Sequence, residues 1–236
     1  MTLKRFHFYL AVIVAVAGLA ALGVFRHGSG REGCIAGTVT DALGGGPVYK
    51  ARIVVDGRST IRYRDKNFRI TRLKPGSYEL KVTAPGYALA QIGVVVGRGT
   101  TRVEVPMRGE RIPGLDHILV FADSVKNRGI ELEIRFVSKD GTGIRHYPRL
   151  PVTMDARLCV RLGDERSYAR GRLIYSGPVD LYWDQKAVLA RNRGIIPKEK
   201  LNLDPAVEGT YGVLDVVLHT PQGDFRDTRA DVLLEW

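Results

Sequence analysis

The sequence has little of what most catalytic and metal sites need. It holds 2 cysteines and 5 histidines in 236 residues, and none of them is paired at the spacing of a zinc site. The HExxH helix of zinc peptidases is missing, as are the GxSxG turn of serine hydrolases, a Walker loop and an EF-hand run of carboxylates. The sequence therefore predicts no catalytic residues, no metal and no cofactor.

The two cysteines, Cys34 and Cys159, leave one question open. A disulfide between them is possible if this part of the chain faces an oxidising compartment, and otherwise both would remain thiols. Cys159 is also a conceivable nucleophile beside His146. It lacks any local activating signature, however, so we expect no catalysis from that pair.

Helical patterns are scarce, and the only long apolar run lies at the amino terminus. Residues 8–25, FYLAVIVAVAGLAALGVF, carry no charge and follow Lys4 and Arg5. A helix of this length spans about 27 Å, which is close to the hydrocarbon thickness of a bilayer. We expect a single-pass membrane helix with its amino end in the cytoplasm, because the basic residues precede it. The rest of the chain would then be extracytoplasmic.

Cleavage of this segment is the alternative. Ala15–Ala17 would suit signal peptidase, and cleavage would release a secreted protein. Apolar residues continue to Phe25, which favours an uncleaved anchor. His27–Gly33 is a short polar linker, so residues 1–33 are predicted to form the anchor and its linker.

Positive charge is concentrated next to the predicted membrane segment. Residues 34–108 hold 13 basic and 5 acidic side chains, whereas residues 109–236 hold 19 of each. A basic module beside a bilayer would attract anionic lipid or an envelope polyanion, at about 1 kcal/mol per basic residue. A merely soluble basic surface is the alternative. No nucleic-acid-binding motif is present, and we expect no nucleic-acid partner.

Strand-like alternation fills residues 34–108. Apolar residues alternate in 68–73 and in 77–83 on either side of Pro75–Gly76, which predicts a β-hairpin with one buried face. The full set of predicted strands lies near 34–40, 51–55, 59–63, 67–72, 77–83, 88–96 and 100–107. Glycine and proline turns with no helical pattern between them predict antiparallel pairing in a β-sandwich.

The same segment is similar to a known family. The residues that carry the similarity are Gly37–Asp41, Gly46–Val48, Ala51–Val55, Asp65, Phe68–Ile70, Leu73–Val82 and Gly86–Tyr87. Together they resemble the carboxypeptidase regulatory-like domain over residues 34–108. The resemblance implies a transthyretin-like β-sandwich. It also implies an absence of catalysis, because the zinc peptidase that usually accompanies such a domain is missing.

Residues 109–236 also read mostly as strands, after the predicted linker Arg108–Gly114. Strands are predicted at 130–136, 152–162, 170–175, 179–183, 211–219 and 228–235, with short helices only within Asp184–Arg193 and Pro197–Leu203. The alternation places Cys159 on the polar face of its strand. We expect a second β-sandwich, for which an immunoglobulin-like fold is one possibility. The predicted fold is therefore all-β, with two tandem antiparallel β-sandwich domains after a transmembrane helix.

A basic strip is one candidate binding site. Three cations alternate with other residues and therefore share one face of an extended segment, and two more lie just beyond: Arg62, Arg64 and Lys66, then Arg69 and Arg72. The strip predicts anion binding. The alternative is a solvated sheet face or a charged edge that discourages strand addition.

An aromatic cluster is the other candidate site. Tyr175, Tyr182 and Trp183 lie close in sequence, and Asp180 and Asp184 flank the last two. An exposed ring can stack on the apolar face of a sugar. Tyr182 and Trp183 point to opposite faces of a strand, so at most one of them would stack, and the alternative for either is packing in the core.

These patterns together favour a non-enzymatic function. We expect a membrane-anchored, extracytoplasmic binding or structural module of the cell envelope. Two alternatives remain: an accessory subunit that positions or regulates a membrane-bound enzyme complex, with its protein partner on the second domain, and a carbohydrate-binding surface protein. A hydrolase with an unrecognised site in residues 115–236 is a further hypothesis, which a deep pocket of titratable groups would favour.

Overall fold

The computed structural model describes residues 32–55, 58–62 and 65–235, and of residues 58, 59, 61 and 62 it describes the backbone alone. The strands up to residue 107 are β1 Gly33–Asp41, β2 Ala51–Val55, β3 Arg58–Arg62, β4 Asn67–Leu73, β5 Gly76–Thr83, β6 Ala90–Val96 and β7 Gly99–Met107. The later strands are β8 Leu115–Val125, β9 Gly129–Ser138, β10 Thr153–Gly163, β11 Tyr168–Pro178, β12 Asp180–Trp183, β13 Asn192–Pro197, β14 Tyr211–Thr220 and β15 Gly223–Leu233. Short 3-10 helices occur at Lys198–Lys200 and Pro205–Val207. The predicted all-β, sandwich-like fold is confirmed.

The predicted membrane segment, residues 8–25, and the alternative cleavage site at Ala15–Ala17 lie outside the described residues. Within the described part of the chain, no helix has both the length and the apolar character that crossing a bilayer requires.

Strands β1–β7 form two sheets that face each other. One has the order β4-β1-β7 and the other the order β3-β2-β5-β6. Alternate residues of these strands point inwards, and fully buried side chains such as Ile35, Ile53 and Leu80 belong to one apolar cluster between the sheets. We call this half the first sandwich.

One strand pair in the first sandwich corrects the prediction of purely antiparallel pairing. β1 and β7 run parallel, from Gly33 opposite Gly99 to Asp41 opposite Met107. The reason lies in the connection that precedes β7. It follows β6, which belongs to the other sheet, so the chain crosses the sandwich between them and no hairpin turn imposes the opposite direction.

The predicted hairpin around Pro75–Gly76 is also wrong. β4 pairs with β1, whereas β5 pairs with β2 and β6, so this turn connects the two sheets. The residues expected to be buried are buried, including Phe68 and Leu80. They meet across the core instead of along a shared ladder. Alternation specifies which face a residue occupies, and it does not specify the neighbouring strand.

Strands β8–β15 form a second sandwich of two four-stranded sheets. Their orders are β11-β10-β14-β15 and β12-β13-β9-β8, and every pair in them is antiparallel. Phe136, Ile118 and Met154 lie in the apolar cluster between these sheets. β8 and β13 were not among the predicted strands.

The short helix predicted within Asp184–Arg193 is wrong, because a turn and the start of β13 occupy this segment. The Asp184 carboxylate accepts hydrogen bonds from the backbone N–H groups of Lys186 (2.9 Å) and Ala187 (3.3 Å). The Asp184 N–H donates to the carbonyl of Arg191 at 2.7 Å. These bonds close residues 184–191 into the loop of the β12–β13 hairpin, and they compete with the helical pattern. In the second predicted helix, Pro197–Leu203, only Lys198–Lys200 is helical, as a 3-10 turn.

Cys159 is buried, although the alternation placed it on the polar face of β10. Leu158, Cys159 and Val160 are buried in succession, and the β10–β11 register shifts at this point. Cys159 faces away from the sandwich core, opposite the buried Val213, so this part of the outer face is covered. Both Cys159 and Cys34 are free thiols, and the Cys34 Sγ lies 3.1 Å from the Thr100 hydroxyl.

Candidate functional site

A cleft opens where the two sandwiches meet. Its volume is about 430 Å³, which lies in the range of roughly 300–1,000 Å³ typical of small-molecule sites. The first sandwich contributes the end of β1, the loop after it and the turn before Tyr87. The second contributes residues 145–147 and the β12–β13 loop. Loops therefore build the cleft, and the two sandwiches position them.

Aromatic rings form a large part of the lining of the cleft. They come from both sandwiches and are Tyr49, Tyr87, His146, Tyr147 and Trp183. The Tyr49 and His146 rings stack across the junction, with centroids 4.0 Å apart and planes 20° apart. The Tyr147 ring meets Trp183 edge to face at 5.8 Å and Phe136 in the same way at 4.8 Å. Contacts between rings thus fix much of the cleft wall.

Asp41, at the end of β1, is the centre of a hydrogen-bond network in the cleft wall. Its side chain is only 6% exposed. One carboxylate oxygen accepts from the N–H groups of Leu43 (2.9 Å) and Gly44 (2.6 Å). The other accepts from the Tyr87 hydroxyl and the Arg149 N–H, both at 2.9 Å. A carboxylate offers about four acceptor positions, and here the protein itself uses four.

Further polar bonds hold the two sandwiches together around the cleft. The Gln185 amide donates to the Gly44 carbonyl at 3.0 Å, and the Arg149 guanidinium donates to the Leu43 carbonyl at 3.1 Å. Gly109 lies so close to the second sandwich that a Cβ atom on it would stand 2.5 Å from the Pro148 Cβ. Only glycine fits at this contact, which brings the irregular segment containing Tyr147 against the first sandwich.

Two phenols of the cleft, the half-buried Tyr87 and the buried Tyr147, are held in their neutral form. Burial raises the pKa of Tyr87, and the adjacent Asp41 carboxylate raises it further. Burial also raises the pKa of Tyr147 to about 12. The Tyr147 hydroxyl lies beside the backbone of Arg191 and Asn192 but makes no hydrogen bond of normal geometry within the described structure. Neither phenol is suited to act as a base at neutral pH.

Two arginines supply the permanent positive charge of the cleft. Arg145 is exposed and Arg191 is half-buried. The Nε of Arg191 donates to the Ala187 carbonyl at 3.2 Å, and its guanidinium lies 5.8 Å from the centre of the Trp183 ring. Among the described residues, neither Arg145 nor Arg191 forms an ion pair with a carboxylate. The described residues also contain no group of three or more His, Cys, Asp or Glu side chains arranged to hold a metal ion.

The structure separates the two members of the predicted sugar-stacking pair. Trp183 lines the cleft, whereas its neighbour Tyr182 is 46% exposed on the other side of β12. Trp183 is also in contact with Tyr147 and with the guanidinium groups of Arg149 and Arg191. Tyr175, the third aromatic residue of the cluster, is buried, and its hydroxyl donates to the Pro178 carbonyl.

The predicted basic strip lies elsewhere on the first sandwich. Arg62 ends β3 in one sheet, and Arg69 and Arg72 belong to β4 in the other. Lys66 and Arg69 are exposed, and Arg72 takes a positive φ of 62° at the end of β4. The side chains of Arg62 and Arg64 lie outside what the structure describes, so anion binding by the strip stays a prediction.

Most of the cleft residues were not predicted as site residues. Asp41 and Tyr87 are part of the string that resembles the regulatory-like family, but no binding role was assigned to them. Arg145, His146 and Arg191 lie in irregular segments without periodicity. Cys159 does not line the cleft, whereas His146 does. The only sequence signal for the cleft was a number of aromatic and basic residues in loops. Because these residues are far apart in the sequence, the sequence did not indicate that they meet in one cleft.

Comparison with known proteins agrees with the first sandwich. Residues 34–108 match the family model of the carboxypeptidase regulatory-like domain, which confirms the resemblance seen in the sequence. No curated protein matches the chain.

Three solved structures show distant similarity. A candidate carbohydrate-binding protein of Bacteroides uniformis ATCC 8492 is 12% identical, with a TM-score of 0.29, 88% of this chain covered and 100% of that one. BcpA, the major pilin subunit of Bacillus cereus, is 10% identical, with a TM-score of 0.31 and coverages of 85% and 69%. A candidate membrane-associated protein of unknown function from Bacteroides fragilis NCTC 9343 is 11% identical, with a TM-score of 0.28 and coverages of 84% and 94%. Similarity at this level supports no functional conclusion.

Proposed function

We propose that the protein is a non-enzymatic binding module of the cell envelope, and that it binds a saccharide in the cleft between its sandwiches. The observation that carries this proposal is the lining of the cleft, in which rings from both sandwiches surround a space of about 430 Å³. Aromatic faces with a few polar groups at the rim are suited to a ligand that has both apolar ring faces and hydroxyl groups.

The hydrogen bonding of Asp41 favours binding over catalysis. Its two oxygens accept four hydrogen bonds from the protein. A general base needs a lone pair directed at the substrate, and a nucleophile needs an open approach. Asp41 is instead suited to fix the shape of the cleft wall.

We expect residues 8–25 to anchor this module in a membrane, with the sandwiches outside the cytoplasm. The uncharged run and the basic residues before it support this expectation. Fractionation tests it: the mature protein should stay with the membrane after a carbonate wash. A soluble product that begins near Gly18 would instead show that the segment is a cleaved signal.

Binding is best tested by calorimetric titration of the full-length protein, in mild detergent, with a panel of neutral and acidic oligosaccharides. Trp183→Ala should weaken the binding of any hit by about tenfold or more, as for a central aromatic contact. Tyr182→Ala is the matched control, because this neighbouring ring points away from the cleft. Absence of binding across the panel, or equal losses in the two variants, would contradict the proposal.

A further inference from the structure

The charge inside the cleft is unbalanced. Its lining includes the permanent cations Arg145 and Arg191 and one carboxylate, that of Asp41. Both oxygens of the Asp41 carboxylate accept hydrogen bonds from other groups of the protein, and Asp41 forms an ion pair with neither arginine. Among the lining residues, permanent positive charges therefore exceed negative charges by one.

Arg191 is close to the aromatic wall. Its guanidinium is 5.8 Å from the Trp183 ring centre, and its charge lowers the pKa of both Tyr87 and Tyr147 against the effect of burial. The Nε–H donates to the Ala187 carbonyl, and among the described residues no hydrogen bond uses the terminal nitrogens of Arg191. An arginine in this state can offer two parallel N–H groups to a planar anion.

We propose that the ligand of this cleft is an acidic saccharide, with Arg191 and Arg145 binding the carboxylate of a uronic acid unit while its ring lies against the aromatic wall. This inference rests on the proposed function. The excess of one charge matches a carboxylate, which carries a single negative charge, better than a phosphate monoester, which carries nearly two. Planar pairing with an arginine fork also fits a carboxylate.

The test compares matched ligands on the full-length protein. Oligosaccharides of galacturonate, glucuronate and mannuronate are titrated beside their methyl esters, which keep the sugar rings and remove the charge. We expect at least one acid to bind about tenfold or more tightly than its ester, since a charge-assisted bond is worth that much. Added salt should weaken the binding of the acid and leave that of the ester nearly unchanged.

Arginine variants then locate the preference. Arg191→Gln and, separately, the exposed Arg145→Gln should each reduce the ratio of acid to ester affinity by about tenfold, with little effect on the ester itself. Arg98→Gln removes the same charge from a turn of the first sandwich outside the cleft and should leave the ratio unchanged. Because Arg145 is exposed, its variant also tests the inference if Arg191→Gln folds poorly.

The possible outcomes distinguish a failure of the uronate assignment from a failure of saccharide binding itself. Equal binding of acids and esters would overturn the inference and leave saccharide binding standing. A phosphorylated sugar that binds more tightly than every uronate would overturn the assignment of a carboxylate. Absence of binding by acids, esters and neutral sugars alike would overturn the proposed function as well.

Discussion

Replacing Asp41 should destabilise the junction between the sandwiches. Asp41→Ala removes the acceptor of four hydrogen bonds, from three backbone N–H groups and the Tyr87 hydroxyl. At about 1 kcal/mol for each bond, the sum is roughly 4 kcal/mol. Water entering from the cleft would satisfy some of these donors, so we expect a loss of about 2–4 kcal/mol in the free energy of unfolding.

Urea unfolding of the full-length protein, followed by tryptophan fluorescence, measures this loss. Trp183 lies in the cleft wall. Measured in a Trp236→Phe background, it is the sole fluorescent tryptophan. The matched control is Asp164→Ala. The Asp164 carboxylate also accepts from backbone N–H groups, those of Arg166 (2.9 Å) and Ser167 (2.7 Å), but in an exposed turn. Its loss should stay below about 1 kcal/mol.

Similar losses in the Asp41 and Asp164 variants would refute the reasoning. They would mean that water replaces the carboxylate at the junction as readily as it does in an exposed turn. Asp41→Ala could also lower the free energy of unfolding strongly while the Trp183 fluorescence of the folded state stays unchanged. In that case the carboxylate would stabilise the fold without fixing the wall.

Three further perturbations test other parts of the structure. Gly109→Val should cost about 1–3 kcal/mol in thermal or urea unfolding, because the new side chain would overlap Pro148; Gly93→Ala, where a Cβ meets nothing within 4 Å, should be nearly neutral. The pKa of His219 is raised above the usual 6.5 by hydrogen bonds to the carboxylates of Asp224 and Asp155, and an NMR titration should show this rise shrink in Asp224→Asn. Because the folded-state pKa is raised, the stabilisation is complete below about pH 6.5 and is lost as pH rises through the raised value; an unshifted His219 would contradict this. If the basic strip binds anions, changing Arg62, Arg64 and Lys66 together to Ser should abolish binding to anionic vesicles with little loss of stability. Unchanged binding would contradict that prediction.

Much of the fold could be predicted from alternation, because a two-residue period identifies the buried face of each strand. Phe68 and Leu80 were placed in the core correctly on this basis. Pairing could not be predicted in the same way. The turn at Pro75–Gly76 looks the same whether it joins two neighbours in a sheet or leads from one sheet to the other, and the difference depends on long-range contacts that no local pattern contains.

The candidate site was harder to predict because it has no local motif. Trp183 was singled out for its ring, and it does line the cleft. The stacking of Tyr49 on His146 joins residues nearly 100 positions apart, and Asp41 meets the Arg149 N–H across 108 positions. The helix predicted from Asp184 was also wrong for a local reason. The Asp184 carboxylate accepts hydrogen bonds from the N–H groups of Lys186 and Ala187, and these bonds stabilise a loop in place of a helix.

The most direct measurement follows the two tryptophan indole N–H signals of the full-length protein by NMR during titration with a uronate oligosaccharide. Trp183 and Trp236 are the only tryptophans of the sequence, and a Trp236→Phe variant identifies the signal of Trp183, which lines the cleft. We expect the Trp183 signal to shift in step with the amount of bound ligand, and Arg191→Gln to suppress that shift. Saturable binding that leaves the Trp183 signal unmoved would show that the ligand binds elsewhere and would contradict the assignment of the cleft as the binding site.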